Sequence, residues 1–148
     1  MTTIDEIITQ FDLLDDWDDR YRYVVELGRA LESFPDELKT EQNRVHGCVS
    51  QVWLWTTLQD KDRTPPSLAI RGDSDAYIVR GLVAILLAYC LGKNAAELLQ
   101  ADPGELFERL GLGNHLTPQR SNGFRSMIAR IRADAHAALV ACDSGPVA

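Results

Sequence analysis

The feature that most constrains this chain is an apolar run from Gly81 to Leu91, bracketed by Arg80 and Lys93. A membrane span needs about 20 such residues, and this run falls well short. A segment that is apolar nearly all round must then be a helix buried inside a folded domain. The wider stretch "GDSDAYIVRGLVAILLAYCLG" (Gly72 to Gly92) reads as that helix, with Ser74 as N-cap and Asp75 favouring its first turn. It is expected to lie across a sheet at the centre of the fold.

The sheet is sought just upstream. Ser50 to Gln59 is rich in Val, Trp and Thr and predicts a strand with Val52, Leu54 and Leu58 on one face. Trp53 and Trp55 make the other face partly apolar, so a Trp is expected to shield a loop or a partner surface there. Asp60 to Ser67 supplies turn residues, and Leu68, Ile70 and Gly72 continue as a second, antiparallel strand. Asn43 to Gly47 is expected to add a short third strand.

Helices account for the rest. Residues 4–14 repeat Ile4, Ile7, Ile8 and Phe11 at helical spacing. Asp16 caps a second helix with Trp17, Tyr21, Val24, Gly28 and Leu31 on one face, and "SFPDE" ends it. Residues 38–43 read as a loop. Asn94 and Asp102 cap two short helices, the second with Pro103 at its first position and Gly111 and Gly113 at its end. A long helix is expected from Asn122 to Val140, turning Phe124, Met127, Ile128, Ile131 and Ala135 inward, with residues 141–148 a frayed tail. Strands followed by long helices predict a single α+β domain over 1–148.

Composition narrows function by exclusion. The 148 residues carry a formal net charge of -7, which argues against a nucleic-acid module. Arg120, Arg125, Arg130 and Arg132 crowd one region and read first as a solvated helix face. The acidic N-terminus lacks the basic flank and apolar core of a signal peptide, so a soluble, cytoplasmic protein without a membrane partner is expected. Three cysteines at wide spacing do not form a secreted disulfide framework. There is no metal-ligand pattern such as CxxC or HExxH, no phosphate loop and no nucleophilic-serine signature. His46 lies two residues from Cys48, but nothing completes a ligand set, and His115 and His136 are isolated. No metal and no resident cofactor are expected.

The thiols remain. Cys90 sits in the apolar helix as a small hydrophobe, and Cys142 lies near a terminus. Cys48 follows Gly47 at a predicted bend in "VHGCVSQVW". A functional thiol and a structural one are both open from spacing alone. A free thiol is only a few per cent ionised at neutral pH, so chemistry there needs help from its surroundings. Backbone N–H groups at the bend, the side chains of Ser50 and Gln51, and Arg120 are the expected sources. A thiol without a resolving partner suits accepting and passing on a group.

Four blocks carry a resemblance that covers nearly the whole chain: "YVVELGRAL" (Tyr23 to Leu31), "NRVHGCVSQVWL" (Asn43 to Leu54), "GDSDAYIVRGL" (Gly72 to Leu82) and "HLTPQRSNGFRSMIARI" (His115 to Ile131). In their order and spacing the chain resembles SufE-type sulfur acceptors, including the close relative CsdE. The resemblance implies a SufE/IscU-like fold, a small antiparallel sheet packed against several helices. It implies that Cys48 accepts sulfane sulfur as a persulfide from a cysteine desulfurase of the SufS or CsdA type, whose own pyridoxal phosphate releases the sulfur from L-cysteine. Stimulation of that desulfurase and delivery to an Fe–S scaffold of the SufB type are implied with it, by a carrier rather than an enzyme. Gly47, Ser50 and Gln51 are then loop-positioning residues, Asp75 and Arg120 meet the desulfurase, and the free chain is a monomer. The loop is expected to shelter Cys48 in an apolar hollow and to swing out on docking. Val49 departs from the polar residue usual at its position, which bears on partner fit rather than on the thiol. The rival readings are an IscU-like cluster scaffold, which needs three converging cysteines, and a non-covalent activator.

Overall fold

The computed structural model describes residues 2–59 and 65–143, with side chains through residue 141. Helices α1 (Ile4–Leu13) and α2 (Trp17–Arg29) precede strands β1 (Val52–Leu58) and β2 (Leu68–Ser74). Helices α3 (Tyr77–Cys90), α4 (Ala95–Gln100), α5 (Pro103–Arg109) and α6 (Pro118–Asp143) follow. The architecture is α+β, with one antiparallel two-stranded sheet paired from Val52↔Ser74 to Leu58↔Leu68.

The apolar run does form the central helix. In α3, Leu82, Val83, Ile85 and Leu86 are fully buried, together with Val52 and Leu54 from β1. Two glycine contacts permit this packing. A Cβ at Gly81 would fall 2.1 Å from the Val24 carbonyl oxygen, and one at Gly28 would fall 2.6 Å from the Gly81 nitrogen. Helices α2 and α3 therefore cross with their backbones nearly touching. At Gly72 a Cβ would meet Leu54 Cδ2 at 2.7 Å and Val83 Cγ1 at 2.8 Å, so glycine lets α3 settle onto the sheet.

Most caps fall where the sequence places them. Asp16 accepts from the Asp18 N–H, Asn94 and Glu97 form a reciprocal capping box, and Asp102 accepts from the Glu105 N–H. Gly111 takes the left-handed conformation after α5.

Several expectations change. Ser74 is not the cap of α3: it ends β2, its Oγ donates to the Gln51 carbonyl at 2.7 Å, and it accepts from the Ala76 N–H at 3.3 Å. The helix starts later, at Tyr77, and Asp75 stands before it. The third strand shrinks to one bridge, Arg44↔Trp53, because the chain turns away on either side. The first strand begins at Val52 rather than Ser50, and Leu58 at its far end is exposed. Tyr21 is exposed, and Leu27 takes the inward place on α2. Helix α6 begins at Pro118, four residues before Asn122, because the Thr117 hydroxyl accepts from the Arg120 N–H at 3.3 Å and Pro118 suits the first helical position. It also continues through Asp143, past the expected fraying point; residues 144–148 lie outside the described residues. Residues 60–64 of the hairpin loop and the Cys142 side chain lie outside them as well. Trp53 is buried, with Lys39 Nζ 5.2 Å from its ring centroid, so the shield is intramolecular.

Candidate functional site

Cys48 stands at the apex of a short loop closed at its base by the residues on either side. The Val45 N–H donates to the Val52 carbonyl and the Leu54 N–H to the Asn43 carbonyl, each at 2.8 Å. Each limb of the base is braced. On the upstream limb, Arg130 of α6 donates from Nη2 to the Gln42 carbonyl at 2.8 Å and from Nη1 to the Arg44 carbonyl at 3.3 Å. Its Nε meets Asp134 at 3.2 Å, and Asp134 accepts from the Thr56 hydroxyl of β1 at 2.8 Å. On the downstream limb, Asp75 accepts from the Gln51 N–H at 3.0 Å, while the Asp75 N–H donates back to the Gln51 carbonyl at 3.3 Å. These bonds carry the sheet pairing one step past β2.

The apex is held far more lightly. The Cys48 thiol donates to the Gly123 carbonyl of α6 across 3.6 Å, a weak bond for sulfur. Gly47 adopts φ +91°, and a Cβ there would fall 2.5 Å from Ser126 Oγ. A Cβ on Gly123 would lie 3.4 Å from the Cys48 sulfur. Glycines on both sides of the contact thus let the loop lie against α6, and Cys48 packs half-buried against the core cluster.

The electrostatics of this state oppose ionisation. Burial pushes the Cys48 thiol above its usual 9.0. Its hydrogen-bond partner is an acceptor, which favours S–H over the thiolate. Among the described residues the expected donors do not reach it: the bonds made at Ser50 and Gln51 involve the backbone of Gln51 alone, and Arg120 donates its own N–H to the Thr117 hydroxyl. Arg120 does sit one helical turn before Gly123, on the part of α6 that the thiol touches. Asp75 is a brace of the loop and not only a surface charge. Sequence reading missed Gly123, Ser126 and Arg130. A glycine inside a helical pattern is a signal for close approach, but an arginine that grips carbonyls has none.

Among the described residues, no group of three or more His, Cys, Asp or Glu side chains is placed to hold a metal ion. His46 pairs instead with Glu41 at 3.3 Å, and His115 stacks on Trp17 with ring centroids 4.0 Å apart. Cys90 is buried, its thiol pushed up to about 12 by burial. It lines a cleft of about 780 Å³ between α1, α2, β2 and the end of α3, and Cys48 does not.

The SufE family, described as an Fe–S metabolism associated domain, matches residues 5–135. The chain belongs to the SufE family. This membership ties it to sulfur transfer in iron–sulfur metabolism. It is 50% identical over 141 residues to an uncharacterised SufE-like protein of Rhizobium meliloti, covering 95% of this chain and all of that one. It is 53% identical over 135 residues to another from Rhizobium etli, covering 91% of this chain and 90% of that one. The solution structure of a hypothetical protein from Thermus thermophilus superposes with a TM-score of 0.73 at 19% identity, over 93% of this chain and 96% of that one. That likeness shows the fold of this SufE-family chain. Among the described residues, no helix is long and apolar enough to cross a membrane.

Proposed function

We propose that this chain is a sulfur carrier: Cys48 takes sulfane sulfur from a pyridoxal-phosphate-dependent cysteine desulfurase and passes it to an Fe–S scaffold. The observation that carries the reading is the contrast within the loop. Its base is braced from α6 and from Asp75, while its thiol-bearing apex is held by one weak S–H···O contact.

The resting state keeps the thiol protonated and half-buried, protected from oxidants. Docking that draws the apex away from Gly123 removes both the burial and the acceptor, so the thiol loses its proton more readily. The thiolate then attacks the outer sulfur of the donor's cysteine persulfide. A Cys48 S–S bond forms, the donor's S–S bond breaks, and the donor cysteine leaves as thiolate, with no net oxidation. Delivery repeats the exchange, with Cys48 as the leaving thiolate. The donor is of the SufS or CsdA type and the acceptor of the SufB type, and Arg120 lies on the docking side. The carrier works in the cytoplasm, as a monomer when free, and the pyridoxal phosphate stays with the desulfurase.

The deciding experiment incubates the chain with desulfurase and L-cysteine and maps mass by peptide. The expected result is the gain of one sulfur atom or more on the Cys48 peptide, lost on reduction. Normal stimulation of the desulfurase by Cys48→Ser, without sulfur on the wild-type peptide, would replace the carrier with a non-covalent activator.

A further inference from the structure

The two edges of the sheet end differently. The free side of β1 is covered, since the Val45 N–H reaches the Val52 carbonyl and the Leu54 N–H reaches the Asn43 carbonyl. Along an antiparallel pair, residues bonded to the partner strand alternate with residues whose N–H and C=O point away from it. The Gln59 N–H donates to the Ser67 carbonyl and the Asp75 N–H to the Gln51 carbonyl, so the odd-numbered residues of β2 are the ones bonded to β1. Leu68, Ile70, Gly72 and Ser74 therefore point their backbone groups outward. This outward edge is closed at its ends. The Ala95 N–H donates to the Pro66 carbonyl at 2.9 Å beside the bridge Ser67↔Asn94, and the Ser74 N–H donates to Asp73 Oδ1 at 2.8 Å. Between these ends, the Leu68 carbonyl and the N–H and C=O of Ile70 and Gly72 have no partner among the described residues.

The open edge gives onto the cleft of about 780 Å³. Leu68, Ala69, Ile70, Arg71 and Gly72 all line that cleft, and no residue of β1 does. Successive residues of a strand point to opposite faces. A cleft that touches a whole run of one strand and none of its neighbour thus lies along the edge, not over a face. Its other walls are apolar at Ile7 of α1, Leu27 of α2, and Ala84 and Leu87 of α3. Two carboxylates, Glu6 and Glu32, and one guanidinium, Arg71, also stand in the lining. Arg71 Nη2 donates to the Ser33 carbonyl and lies 3.6 Å from Glu32, whereas Glu6 is in no ion pair among the described residues.

We infer that this cleft is a peptide-binding site, in which an extended segment of a partner protein, apolar at alternate positions and carrying a lysine or arginine, adds a strand to the edge of β2. An open edge is a template for pairing that folded proteins ordinarily blunt or cover. The groups left free at Leu68, Ile70 and Gly72 recur at the two-residue spacing of a strand, which another extended backbone matches. Side chains of the segment on the face shared with Ile70 meet the apolar wall. Its cation meets Glu6, and the net charge of -7 favours the approach of a basic segment. The cleft is of a size that holds a short ligand, roughly 300–1,000 Å³ being usual. Cys48 is not in the lining, so a partner held here leaves the thiol free, and the inference stands apart from the carrier reading.

The test titrates the full chain with the acetylated and amidated peptide Lys-Val-Thr-Val-Thr-Val-Lys and follows amide exchange by NMR. Binding is expected below about 1 mM, with exchange at Ile70 and Gly72 slowed about tenfold or more in the complex. Two further peptides carry N-methyl groups on every valine or on every threonine. One is expected to lose binding and the other to keep it within about threefold, because a single edge of the added strand faces β2. Ile70→Pro removes an N–H that pairing with β1 does not use. It should weaken binding about tenfold at an unchanged thermal midpoint, and Glu6→Gln should weaken it severalfold. The methylated peptides act on the wild-type chain, so they decide the matter even where Ile70→Pro does not fold. Iodoacetamide should alkylate Cys48 equally with and without peptide. No binding at about 1 mM overturns the inference. Equal binding of both methylated peptides without slowed exchange at Ile70 also overturns it and leaves a pocket for small apolar ligands. Slowed exchange at Ile70 that grows with protein concentration alone, with dimers in sedimentation, puts a second copy on the edge and overturns the partner.

Discussion

Replacing Gly47 with alanine probes the closed loop at the point where its geometry is least tolerant. Gly47 holds φ +91° in the loop state in which Cys48 rests against α6. An L-residue in that region costs about 1–2 kcal/mol. The new Cβ also falls 2.5 Å from Ser126 Oγ, which donates to the Asn122 carbonyl at 3.1 Å. Turning that hydroxyl aside costs about 1 kcal/mol more. The sum, about 2–3 kcal/mol, is expected to act on the closed state alone, with an open loop free to relax to negative φ. Open population should rise roughly 30- to 150-fold at 1.36 kcal/mol per decade. Alkylation of Cys48 by iodoacetamide at about pH 8 reads this directly when opening is fast relative to labelling. Its pH profile should inflect above 9.0 in the wild type and move down toward that value in Gly47→Ala, since the burial that raises the thiol is relieved. Adding Ser126→Ala removes the clash and should bring the enhancement back to roughly 5- to 30-fold, the φ strain alone. Cys90, pushed up to about 12 and buried, should stay unlabelled and report any global unfolding. A folded Gly47→Ala protein that alkylates within about twofold of wild type would refute the closed-loop argument.

The braces make parallel predictions. Asp75→Ala removes the acceptor of the Gln51 N–H, about 1 kcal/mol, and should speed Cys48 alkylation about fivefold, with Asp75→Asn restoring it. Arg130→Ala should cost about 2–3 kcal/mol and accelerate amide exchange at Val45 and Leu54; Arg130→Lys should recover little, because an ammonium cannot span two carbonyls and Asp134. Gly81→Ala forces a methyl to within 2.1 Å of the Val24 carbonyl oxygen and should lower stability by about 3 kcal/mol, read from the urea midpoint. For Cys90 the native state binds the proton more tightly than the unfolded chain. Its contribution is therefore complete below pH 9 and lost as pH rises toward 12. Cys90→Ala should flatten alkaline destabilisation in that window relative to wild type; Tyr23 and Tyr89, also raised by burial, titrate in both proteins.

Patterns local in the chain were legible without coordinates. The apolar run could only become the buried α3, a run of Val, Trp and Thr marked β1, and Asp16, Asn94 and Asp102 announced their helices by the same short-range bonds they make in the fold. The loop thiol stood out for its neighbours, and the four family blocks implied what chemistry to expect of it.

What surrounds that thiol was settled only in three dimensions. Ser74 looked like a helix cap, yet pairing β2 with β1 turned its hydroxyl onto Gln51. Donors were sought around Cys48, and packing against α6 presented the Gly123 carbonyl instead. Arg130 braces a loop more than eighty residues upstream through backbone oxygens, which every residue possesses. A side chain's short-range partners are written into its sequence neighbourhood. Contacts to distant backbone carry no residue-type signature, so only the folded path of the chain reveals which carbonyl stands next to which cation or thiol.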